Sequence, residues 1–229
     1  DEFLIPIIGI TGSNGKTMVK EWLYQLLSPE MIVTRSPRSY NSQIGVPLSV
    51  WLLNENTQIG VFEAGISKPG EMLALRDIIQ PTIGVFTSLG TAHQENFPSL
   101  EAKCLEKLKL FHDTQAIVYS EDDQVLNDCI SSKNYKGESL NWSAKDVHAA
   151  FFIKSIEKKD IETTVSYVWK EKVEGQYKLP FIDDASVENS ITCAVVSLHL
   201  GIEPAHLAER MAKLEPVAMR LEVKEGQHG

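Results

Sequence analysis

No stretch of this 229-residue sequence approaches the ~18 consecutive apolar residues that a membrane-crossing helix needs. Basic charge is also short. Lys and Arg number 22 against 31 Asp and Glu, a formal net charge of −9, which argues against nucleic acid as the main partner because a phosphate backbone demands a basic face. Cysteine is scarce: Cys104, Cys129 and Cys193 are odd in number, widely spaced and not arranged as metal pairs. That usage speaks against a disulfide framework and points to a reducing, cytoplasmic compartment. No signal peptide, internal repeat or low-complexity tract is visible. What remains is an ordinary globular composition, 43% hydrophobic and 23% charged, sufficient for a sizeable core. The length suits one large α/β domain or one domain with a small appendage.

From residue 4 to about 141, short β-rich runs alternate with helical stretches. The expected strands are Leu4–Ile10, Met31–Thr34, Gln58–Phe62, Thr82–Thr87 and Gln115–Tyr119. Amphipathic segments lie between them at Lys16–Leu27, Gly70–Ile79 and Leu100–Phe111. This alternation reads as a mostly parallel sheet flanked by helices, a fold that places ligands at the carboxyl ends of its strands. Between about 142 and 182 the pattern changes. Val147–Ile156, Ile161–Trp169 and Gln176–Phe181 alternate apolar and polar residues, as expected of a small antiparallel sheet appended to the main one. Helices follow near Val187–Leu200 and Pro204–Leu214. The main sheet is expected to take residues 1–141 and 183–229. Asp1-Glu2 stands directly before an apolar run, and Arg220–Lys224 reads as a strand with no closing element after it. Both ends read as cuts between domains, so the expectation is one excised domain.

Gly12-Ser13-Asn14-Gly15-Lys16-Thr17 falls where a buried strand turns into a helix N-terminus. Free amides and the helix dipole there favour bound anions. Glycine lets backbone approach phosphate, Lys16 reaches terminal phosphates, and the Thr17 hydroxyl is placed to ligate magnesium. The usual pattern G-x-x-x-x-G-K-[ST] has a glycine five residues before Gly15, where this chain has Ile10. By itself the loop implies a nucleoside triphosphatase or kinase. No arginine-rich lid stretch is present, which argues against a small-molecule kinase. Glu63 ends a buried strand and would face the ligand crevice. At 100° per residue Leu100, Cys104, Lys107, Leu108 and Phe111 share one helical stripe while Lys109 falls opposite. A lysine on such a stripe either snorkels outward or, if buried, loses its charge more readily.

The variant Thr11–Thr17 resembles the Mur ligases, and so do Tyr40–Pro47, Phe62–Gly65, Ala92–Phe97, Glu106–Phe111 and Glu188–Ser190. The resemblance spans nearly the whole chain and implies the central ATPase domain of a three-domain ligase, without its UDP-sugar and amine-substrate domains. Within the family the chain is most similar to members that add D-alanyl-D-alanine to UDP-N-acetylmuramoyl-tripeptide, and its wording at 87–111 to a form fused to alanine racemase. The resemblance implies ATP binding by Thr11, Gly12, Ser13, Asn14, Gly15, Lys16, Thr17, Asn189 and Arg220. It implies magnesium held by Thr17, Glu63, His93 and Lys107, the last carbamylated by carbon dioxide, with Lys103 the competing assignment one turn earlier. Lys16, Glu63, His93 and Lys107 would serve catalysis, and Asn41 and Ser42 would lie toward the acceptor substrate. Where relatives often carry histidine four residues before the asparagine, this chain has Ala185. The competing functions are another Mur-type ligase adding one amino acid or glutamate, including a folylpolyglutamate synthase-like enzyme, and a non-catalytic ATP-binding module.

Overall fold

The computed structural model describes residues 5–90, 94–133 and 135–217. The expected strand Arg220–Lys224 lies outside them. Three short, wholly buried strands form the centre: β1 (Ile7–Thr11), β3 (Ile59–Glu63) and β4 (Ile83–Phe86). Burial on both faces is what a parallel sheet covered by helices imposes on its strands. β2 (Val33–Arg35) lies outside β3, and β5 (Ala116–Ser120) and β6 (Glu138–Ser143) follow β4 on the other side. The order is β2-β3-β1-β4-β5-β6, all parallel.

The sheet does not stop there. β7 (Phe151–Lys159) pairs parallel with β6, then β8 (Glu162–Trp169) and β9 (Val173–Leu179) complete an antiparallel meander within the same nine-stranded sheet. The appended antiparallel part expected from alternation is therefore continuous with the parallel part. β8 buries every second residue, the mark of one covered face. Phe151 stacks on Tyr167 with ring centroids 4.5 Å apart, which anchors the meander.

Helices cover both faces. On one face α1 (Lys16–Leu27), α6 (Asp184–His199) and α7 (Pro204–Met211) share a core with the meander, including Trp22, Leu23, Val195 and Leu207. On the other, α2 (Gly45–Val50), α3 (Glu71–Ile79), α4 (Leu100–Leu108) and α5 (Gln124–Ser132) pack Val46, Leu75, Cys104 and Leu126 together. The expected helix Leu100–Phe111 ends earlier, at Leu108, and tightens into a 3-10 turn over Lys109–Phe111. Such tightening is common at helix ends, where the last carbonyls lack partners. Among the described residues no helix is long and apolar enough to cross a membrane.

Candidate active site

β1 lies between β3 and β4 in the sheet, so the crevice above its carboxyl end is a switch point of the topology. The phosphate-loop residues occupy that crevice. Gly12 and Gly15 have φ of 142° and 83°, in the region that disfavours side chains. A Cβ on Gly15 would come within 2.3 Å of Asn189 Oδ1, and one on Gly12 within 2.1 Å of the Thr87 hydroxyl. Gly15 caps α1 with no side-chain hydrogen bond and no acidic residue in the first turn, which leaves that helix end open to an anion. Ser13 fixes the loop to the segment after β4: its amide donates to Ser88 carbonyl at 2.7 Å, and its hydroxyl donates to Gly90 carbonyl at 3.0 Å.

A cavity of about 180 Å³ opens beside the loop, lined by Gly12, Ser13, Lys16, Asn41, Gly65 and Lys107, among others. Lys16 folds back over the loop and donates to the carbonyls of Gly12 (2.9 Å) and Ser13 (3.3 Å). Lys107 reaches the same Gly12 carbonyl from α4, at 3.1 Å, and is only 3% exposed. Its ammonium is held well below the ordinary lysine range, at about 7, first by burial and then by the charges of Lys16 and Lys103. Lys107 therefore does not snorkel. Lys103, one turn earlier and equally buried, points its ammonium at Gly90 carbonyl instead. Burial lowers its pKa too, with Glu95 opposing.

Glu63 is completely buried at the end of β3. Its Oε2 accepts from the Thr17 hydroxyl at 3.1 Å and from Asn41 Nδ2 at 3.5 Å. Its Oε1 receives no hydrogen bond of good geometry, although the Lys20 ammonium lies 3.0 Å away. A buried carboxylate whose Oε2 stands beside a hydroxyl at a phosphate loop fits the donor set expected around a hard divalent cation. Among the described residues no three His, Cys, Asp or Glu side chains converge on one point, so such a cation would need oxygen ligands from bound phosphate as well.

On the far side of the loop a second cavity, about 410 Å³, is lined by Asn14, Gly15, Met18, Phe181 and Asn189, among others. Asn189 sits on the first turns of α6 and donates from Nδ2 to Met18 Sδ at 3.3 Å. Ala185, where relatives often have histidine, lines the same cavity.

The structure thus brings Gly12, Ser13, Lys16, Thr17, Asn41, Glu63 and Lys107 together, with Asn14, Gly15 and Asn189 on the adjoining side. Two expected residues turn elsewhere. The Thr11 hydroxyl donates to Ala64 carbonyl at 2.9 Å and ties β1 to β3. Ser42 is exposed, and its side chain accepts from the Gly45 amide at the start of α2. His93 and Arg220 lie outside the described residues. The sequence reading passed over Lys20, fully buried on α1. Its signal was available: position 20 falls one turn after Lys16 and between the apolar Val19 and Leu23.

Comparison with known proteins agrees with this geometry. Residues 10–197 match the family model "Mur ligase middle domain". The UDP-N-acetylmuramoyl-tripeptide–D-alanyl-D-alanine ligase of Bacillus subtilis is 28% identical over 223 residues, covering 95% of this chain and 46% of that protein. The ligase of the same name from Borreliella burgdorferi is 32% identical over 206 residues, 88% of this chain and 43% of that one. The structure of MurF ligase from Thermotoga maritima in complex with ADP superposes with a TM-score of 0.81 at 25% identity, over 94% of this chain and 49% of that one. The chain spans about half the length of these relatives. With its family model matched over most of its length and its glycine loop at the carboxyl end of β1, this chain belongs to the Mur ligase middle domain family.

Proposed function

We propose that this chain is the ATP-binding part of a cytoplasmic ligase that joins D-alanyl-D-alanine to UDP-N-acetylmuramoyl-tripeptide in peptidoglycan precursor synthesis. The single observation that carries the reading is the convergence of Lys16, Thr17, Glu63 and Lys107 above β1. The amine specificity rests on the names of the relatives, and the ATP assignment gains from the ADP bound to the Thermotoga maritima protein. Those relatives are described as ligases alone, so fusion to alanine racemase is not part of the proposal. Domains carrying the UDP-sugar and the amine would belong to the rest of a longer protein.

In the proposed reaction a substrate carboxylate oxygen attacks the γ-phosphorus of ATP, and ADP leaves. The amine nitrogen of the dipeptide then attacks the acyl carbon of the acyl phosphate, loses a proton, and inorganic phosphate departs. The open N-terminus of α1 binds phosphate oxygens, and Lys16 neutralises the charge that grows as the phosphoryl group transfers. Thr17, Glu63, His93 and Lys107 would hold magnesium, which when bound supplies further positive charge against the phosphates. For Lys107 this role requires modification: the ammonium gives up one proton, the neutral Nζ forms a C–N bond to carbon dioxide as one C=O π bond opens, and a second proton leaves, so that a cation becomes an anion. Burial of this amine keeps its neutral form within reach at ordinary pH. Asn189 would contact the adenine, Arg220 the γ-phosphate, and Asn41 the acceptor side.

The test is ATP-dependent phosphate release by the full-length protein with UDP-N-acetylmuramoyl-tripeptide and a choice of amines. Turnover with D-alanyl-D-alanine over L-lysine, meso-diaminopimelate or glutamate is the expected result. Preference for a single amino acid would move the chain to another ligase of the family. ATP binding without any turnover would make it a non-catalytic module.

A further inference from the structure

We infer that Lys20 is a positioning residue that divides the two oxygens of Glu63, holding Oε1 so that Oε2 is the oxygen presented beside Thr17. The inference rests on the magnesium–ATP reading above. Lys20 and Glu63 are both 0% exposed, and the ammonium stands 3.0 Å from Glu63 Oε1. The same ammonium lies 3.0 Å from Glu21 Oε1 and donates to Arg38 carbonyl. Its three N–H groups therefore sit among acceptors from α1, from the loop before α2 and from the end of β3. Glu21 is itself held from the other side, accepting from Arg35 Nε at 2.9 Å. The cation is locked before any ligand arrives.

The consequence falls on Glu63. With Oε1 facing a fixed cation, Oε2 is left to the Thr17 hydroxyl and to Asn41 Nδ2. Without the fixed ammonium the buried carboxylate would lose its charged partner and the contact that orients its plane, a costly change at a fully buried group. Lys20 thus presets a carboxylate that offers one oxygen rather than two, and ties it to the loop that carries Asn41. Asn41 closes this link, since its carbonyl accepts from the Gly65 amide at 2.8 Å just past Glu63. Partners that orient a ligand in this way commonly affect metal affinity about 10- to 100-fold.

The experiment is calorimetric titration of ATP into the 229-residue chain, with Mg2+ and with a chelator, for wild type, Lys20→Met, Glu63→Gln and the double variant. Metal-free ATP binding gives each variant its own baseline, and the Mg2+ effect is read as the ratio of the two affinities within each variant. The gain in affinity that Mg2+ gives should fall about tenfold in Lys20→Met. The double variant should lose no more than Glu63→Gln alone, since Lys20 acts only through that carboxylate. Where Lys20→Met does not fold, the double variant, with both buried charges removed, keeps the comparison with Glu63→Gln. A wild-type Mg2+ gain in Lys20→Met, or a further drop in the double variant, overturns the inference. Absence of ATP binding by the wild type overturns the underlying reading instead.

Discussion

The two halves of this sheet bury different things. Around β1, β3 and β4 the interior holds Lys20, Glu63, Lys103, Glu106 and Lys107; in the meander it holds the rings of Phe151, Tyr167, Trp169 and Tyr177. Among the described residues, none of the buried lysines or glutamates lies on β7–β9. Burying charge costs stability unless every group is paired, whereas burying aromatic rings adds it. The difference separates a region that buries charge around the proposed nucleotide site from one packed with aromatic rings.

Four substitutions probe that division. The largest effect should come from Phe151→Ala, which empties a stacked ring position at the join of parallel and antiparallel strands. Urea unfolding should show a loss of about 3–5 kcal/mol, while ATP affinity of the folded protein stays unchanged. Lys16→Ala should do the reverse. Equilibrium dialysis should find ATP affinity reduced by about 1.5–3 kcal/mol, roughly 10- to 150-fold, with the thermal midpoint preserved.

Lys107→Met should give an effect whose size depends on pH. Because the folded-state pKa is depressed to about 7, the unfolded chain binds the proton more tightly than the folded one between there and the ordinary lysine value of 10.5. Wild-type stability therefore rises with pH through that window. Lys107→Met should be the more stable protein below pH 7, partly offset by loss of the bond to Gly12 carbonyl, and its advantage should shrink toward pH 10.5. Unfolding curves for both proteins at several pH values measure this. A pH-independent gap would mean that burial does not lower the Lys107 pKa in the folded protein. Smallest of all is Lys178→Ala, which breaks an exposed pair with Glu162. It should move stability by no more than about 0.5 kcal/mol and leave nucleotide binding alone.

Much of the charged half was legible in the sequence because its signals are local. A glycine loop between a buried strand and an amphipathic helix can be read from a dozen residues, and Lys16–Leu27 has the bounds expected of it. The helical stripe through Leu100, Cys104 and Phe111 put Lys107 on the apolar face but left snorkelling open, and the structure buries it. Other features escaped for physical reasons. α2 carries Pro47 in its first turns, where proline is tolerated but makes the segment read as a loop. β6 offers only Leu140 and Trp142 as apolar residues, so its pairing with β5 and β7 decides it more than its own propensity does. The approach of Asn189 to Gly15 joins residues far apart in the chain, and no local pattern encodes it. Ser42 shows the converse: next to Asn41 in sequence, it turns away to the start of α2.

On the proposed reading, the buried charges above β1 make a site for magnesium and ATP. Its most direct measurement is calorimetric titration of ATP, with and without Mg2+, into wild type and Lys16→Ala. One site is expected in the wild type, with a dissociation constant in the range of about 1 μM to 1 mM typical of enzyme substrates, tightened by Mg2+ and largely lost in Lys16→Ala. No binding at millimolar ATP, or equal binding by the two proteins, would contradict it.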